Sequence, residues 1–61
     1  MDDEVYVFVV EYLDSKGYKG RLAIYDAETD DECKKIFRRE IGSKSVIKAI
    51  RKMSEYDYKH L

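Results

Sequence analysis

The sequence predicts an α+β fold: a single small ββαβ domain over residues 1–61, with one helix packed on one face of a three-stranded, mainly antiparallel sheet. Three observations carry that expectation. Residues 5–13 are dense in β-branched and aromatic side chains and run into a turn cluster. Thr29, Asp30, Asp31 and Glu32 have the form of a capping box and open a segment with apolar residues at helical spacing. A second strand-length apolar run occupies residues 46–53.

In the first strand, period-two alternation places Val5, Val7, Val9 and Leu13 on one face, interrupted by Glu11, and Tyr6, Phe8, Val10 and Tyr12 on the other. Asp14, Ser15, Lys16 and Gly17 read as a hairpin turn, with Gly17 free to take the positive φ such loops need. Gly20 either continues the loop or marks a bulge. Residues 21–27 return as the second strand, Leu22 and Ile24 on one face, Ala23 and Tyr25 on the other.

The helix is predicted over residues 30–41. Thr29 is placed to accept the amide hydrogen of Glu32, and Glu32 to reach back to the amide of Thr29. Asp30, Asp31 and Glu32 suit the positive end of the helix dipole. Cys33, Ile36, Phe37 and Ile41 form the apolar stripe, and Gly42 stands where a left-handed terminator belongs.

Two readings of the last segment stay open. Val46, Ala49, Ile50, Met53 and Tyr56 fall at helical spacing, which gives a ββαα alternative. Residues 46–53 also form a strand-length run in which Val46, Lys48, Ile50 and Lys52 alternate against Ile47, Ala49, Arg51 and Met53. A third strand makes a hairpin far more stable on its own, which favours the strand, with residues 54–61 as a tail.

The order of hairpin, capped helix and short terminal strand resembles small ββαβ proteins of bacteriophages and mobile elements. The resemblance rests on Ala27 to Thr29, the helix from Asp30 to Phe37, Ile41 and Gly42, and the run from Val46 to Met53. It implies the strand for that run, and a protein that blocks a host protein, for example a component of bacterial defence. The same stretch is distantly similar to the archaeal ribosomal protein LX, without the basic N-terminal half such a protein sets against RNA.

Composition excludes several classes. Sixty-one residues make one domain near the lower limit for a single self-sufficient core, and a chain this size buries only about 60% of its unfolded surface. One cysteine forms no internal disulfide, and no His/Cys cluster exists to hold zinc. No apolar run approaches the roughly 20 residues of a membrane span. Asp2, Asp3 and Glu4 read as a solvated terminus and contradict the basic start of a signal peptide, so a cytoplasmic protein is expected, in a host's cytoplasm if viral. The net charge of −1 conceals opposed halves: ten acids against three bases in residues 1–32, and nine bases against three acids in residues 33–61.

Catalysis is not expected, nor any cofactor or metal. His60 is penultimate, and Cys33 lies on the apolar stripe as a buried thiol. Asp30, Asp31 and Glu32 are explained by helix capping. Two binding surfaces are expected instead. If the helix packs on Val5, Val7, Val9 and Leu13, then Tyr6, Phe8, Val10 and Tyr12, with Tyr25, form an open aromatic face for a host protein or a second copy, most simply as a homodimer. The alternative is a small nucleic-acid-binding or ribosome-associated protein using Lys34, Lys35, Arg38 and Arg39, joined by Lys48, Arg51 and Lys52. Against it stand the helical pairs Asp30–Lys34 and Asp31–Lys35, which would spend those charges on solubility.

Overall fold

The computed structural model describes residues 5–61, so Asp2, Asp3 and Glu4 lie outside the described residues. Strands β1 (Tyr6–Leu13) and β2 (Lys19–Ile24) precede helix α1 (Asp30–Glu40), and strand β3 (Val46–Ser54) and a short helix α2 (Glu55–Lys59) follow it. The sheet order is β2-β1-β3, and both pairings are antiparallel. The run at 46–53 is therefore a strand, and part of the expected tail is helical.

The hairpin closes more tightly than the sequence implies. Asp14 Oδ1 accepts from the amides of Lys16 and Tyr18, both at 2.9 Å, and Gly17 takes φ +88°. Pairing resumes at Lys19, two residues before the expected strand start, so Gly20 lies inside β2 opposite Tyr12. A β-carbon at Gly20 would stand 2.5 Å from Cζ of Tyr12: the phenol lies across the bare glycine. Gly20→Val should lower stability by about 1–3 kcal/mol by overpacking, although valine is the better strand former. A urea midpoint unchanged or raised would show that the ring simply swings aside.

Thr29 Oγ1 accepts from the amide of Glu32 at 3.2 Å, as a cap should. The return bond differs from expectation, because Glu32 Oε1 accepts from the amide of Glu28 at 2.8 Å rather than from Thr29. Ile41 caps the C-terminus, and Gly42 follows at φ +113°. Arg38 Nη1 donates to the carbonyl of Ser45 at 2.7 Å, which ties the end of α1 to the loop entering β3.

α1 packs on the face opposite to the one considered above. Phe8, Val10 and Ile24 form one core with Cys33 and Phe37, flanked by Tyr12, Leu22, Ile36, Ile41, Ile47 and Ile50. The helix needs a broad apolar bed, and the even positions of β1 supply it together with Leu22 and Ile24. On the other face Val7 and Val9 are buried too, and α2 contacts both β1 and β3.

β3 departs from simple alternation. Glu11 pairs with Ala49 and Tyr12 with Ile47, so Lys48 is an extra, bulged residue. The phase change turns Ile47 as well as Ile50 toward α1. The helical stripe read from the sequence, Val46, Ala49, Ile50, Met53 and Tyr56, shares only Ile50 with the residues packed against this core.

α2 is capped by Ser54, whose Oγ accepts from the amide of Asp57 at 3.1 Å. It is held to the sheet by the amide of Glu55 donating to the carbonyl of Val5 at 2.8 Å, and by the hydroxyl of Tyr25 donating to Glu55 Oε2 at 3.3 Å.

Candidate nucleic-acid interface

With α1 on one side, the opposite face of the sheet carries the odd positions of β1 and their neighbours. Glu11 lies opposite Arg21 on β2, and Val9 opposite Arg51 on β3. Glu11 sits between the two guanidinium groups, at 4.0 Å from Nη2 of Arg21 and 3.8 Å from Nη2 of Arg51. Neither approach reaches hydrogen-bond distance, and exposed ion pairs of this kind contribute about 0–1 kcal/mol. Both arginines therefore keep donors for a ligand.

Toward the hairpin end, this face deepens into an open groove of about 600 Å³, lined by Glu11, Tyr12, Leu13, Lys19, Gly20, Arg21 and Lys48. Lys19 arrives there by strand alternation from Arg21, and Lys48 by the bulge, which puts it beside Ala49 on the side of Glu11. Three strands thus bring Lys19, Arg21, Lys48 and Arg51 to one face around a single carboxylate. The groove's lining offers charged and apolar groups and has no histidine, cysteine or serine. Cys33 is buried in the core, where burial and then the Asp30 carboxylate push its thiol above the usual range.

At the far end of the same face Tyr25 follows β2. The residue is 47% exposed. Loss of water around the phenol, followed by the charge of Glu55 and the hydrogen bond to it, raises its pKa above the ordinary value.

The residues expected to form an aromatic docking face are dispersed. Phe8 and Val10 are core residues, so the open-face assignment for them is corrected. Tyr12 packs edge-on against Phe37, with ring centroids 5.0 Å apart, and across Gly20. Tyr6 is half-exposed on the α1 side, where the Lys52 ammonium lies 5.4 Å from its ring centroid. Only Tyr25 stays on the face away from α1.

The expected basic cluster is divided in the same way. Lys34, Lys35 and Arg39 are exposed on α1, Arg38 is engaged with the loop carbonyls, and Lys52 lies over Tyr6 and Phe8. Lys48 and Arg51 alone reach the open face. Among the described residues no ion pair joins Asp30 to Lys34 or Asp31 to Lys35; the pairs formed are Arg21–Glu11, Arg51–Glu11, Arg39–Glu40 and Lys59–Glu55. Lys19 and Arg21 were missed because they belong to the acidic half of the chain. Pairing the hairpin residue by residue, so that Arg21 meets Glu11, is the signal that finds them.

Among the described residues no helix is long and apolar enough to cross a membrane. Comparison with protein-family models, with curated proteins and with solved structures returns no match.

Proposed function

We propose that this chain is a small non-enzymatic binding module that holds nucleic acid on the open face of its sheet. One observation carries the reading: Lys19, Arg21, Lys48 and Arg51 converge from β2 and β3 on a face that α1 leaves uncovered, with Glu11 as the carboxylate between them. Phosphates would replace Glu11 as partner to the arginines, whose planar forks suit two oxygens at once, while the lysines add point charges. Three of the acids lie elsewhere, on the α1 N-terminus, and Glu55 lies at the far end beside Tyr25, so the small net charge does not describe the hairpin end of this face.

Binding of short oligonucleotides by fluorescence anisotropy, repeated across salt concentrations, tests the reading. Neutralisation of phosphates by up to four cations gives a slope of log affinity against log salt between about −2 and −4. No binding at low salt, or a slope near zero, would remove the proposal.

A protein partner or a second copy is the other reading, and a different surface favours it. Val5 and Tyr6 at the start of β1 are 49% exposed, close to α2. Association through them would bury apolar area and be nearly insensitive to salt, which separates it from the first reading.

A further inference from the structure

The open face is chemically graded, and the gradient separates where a phosphate can lie from where a base can lie. Lys19, Arg21 and Lys48 gather at the hairpin end. Four residues along from Arg21, roughly 13 Å at strand spacing, stands half-exposed Tyr25, with the Glu55 carboxylate bonded to its hydroxyl. Lys59 lies 3.6 Å from the same carboxylate, so this end offers a phosphate no net positive charge. A base, by contrast, is uncharged, and its amino hydrogens suit a neighbouring carboxylate. The contact with Glu55 at 3.3 Å turns the hydroxyl toward α2 before any ligand arrives. Among the described residues the close ring pairs are Tyr12 with Phe37 and Tyr56 with His60, so the face of Tyr25 is not taken by another ring.

We infer that the nucleic acid bound on this face is single-stranded and that one of its bases stacks on Tyr25. This rests on the basic face being the binding surface. A duplex hides the faces of its bases, and reading it needs a helix or ribbon that enters a groove. The cations here lie across the surface of a sheet instead, with β2 and β3 about 10 Å apart on either side of β1. A ring beside a cationic track is the arrangement that single strands use, phosphates on the track and bases on the ring.

The test compares a mixed-sequence single-stranded DNA of about ten nucleotides, within the usual site size, with a hairpin duplex of the same composition, by anisotropy at low salt. The wild type should bind the single strand more tightly. Tyr25→Leu should weaken that binding about tenfold, leaving duplex affinity and the salt slope unchanged. Tyr25→Phe, which keeps the ring and loses the bond to Glu55, should retain most of the affinity; it also controls for any loosening of α2. Equal affinity for both forms, or a Tyr25→Leu protein that binds the single strand like wild type, overturns the inference while leaving the basic face intact. Failure of the wild type to bind either nucleic acid overturns both.

Discussion

Phe37→Ala should leave little folded protein at room temperature, with urea unfolding shifted to the lowest denaturant concentrations or lost as a cooperative transition. Phe37 is 0% exposed and sits where α1 meets the sheet. Truncating a buried phenylalanine costs about 3–5 kcal/mol through lost transfer energy and the cavity left behind. For a 61-residue chain, the usual stability per residue amounts to only about 3–9 kcal/mol in all. The loss is compounded locally, because Tyr12 uses the ring as its edge-on partner and the Arg38 guanidinium lies 5.5 Å from its centroid. Phe37→Leu refills most of the volume and should remain folded with a lower midpoint. A Phe37→Ala protein within about 1 kcal/mol of wild type would mean that the core lies elsewhere.

Reversing Arg21 and Lys48 together, as Arg21→Glu with Lys48→Glu, should reduce nucleic-acid affinity by at least about 100-fold at low salt. The double change removes two cations and sets two new carboxylates beside Glu11, where like charges face a phosphate directly. Residual binding should show a salt slope shallower by roughly 1.4 for a single strand. Because Glu opposite Glu11 weakens the strand pair by about 0.2–1 kcal/mol, Arg21→Gln with Lys48→Gln serves as the milder version and should lose affinity with the fold preserved. Glu11→Gln should act in the other direction and tighten binding several-fold, since it frees both arginines from their competing carboxylate. Unaltered affinity in the reversed protein, with normal folding, would place any nucleic-acid site elsewhere, the exposed face of α1 being the remaining basic surface.

Local signals in the sequence carried the elements well. The Thr29 cap, the helical stripe ending before Gly42 and the density of β-branched residues in β1 are all determined within a few positions of themselves. Which face of β1 lies under α1 is a different kind of question. Both faces are apolar, so the choice depends on what β2 and β3 contribute to each, and Leu22, Ile24, Ile47 and Ile50 all fall with Phe8 and Val10. The bulge at Lys48 hides part of that answer, because strict alternation sets Ile47 and Ile50 on opposite faces. The basic face was obscured for a related reason. Its four cations are divided between the acidic and basic halves of the chain, and cross-strand register alone unites them.

The bulge also bears on solubility. β3 is an edge strand, and its first five residues would form an unbroken β-branched and aliphatic run but for Lys48. Such runs on an exposed edge template the pairing of one chain with another and seed fibrils. A charged residue at a distortion in the ladder defeats that pairing twice, by repelling a second copy and by spoiling the straight edge it would need. Lys48 would thus oppose edge-to-edge pairing from the position where it adds charge to the proposed binding face. Selection for solubility and selection for ligand would act on the same side chain, and an apolar replacement there would forfeit both.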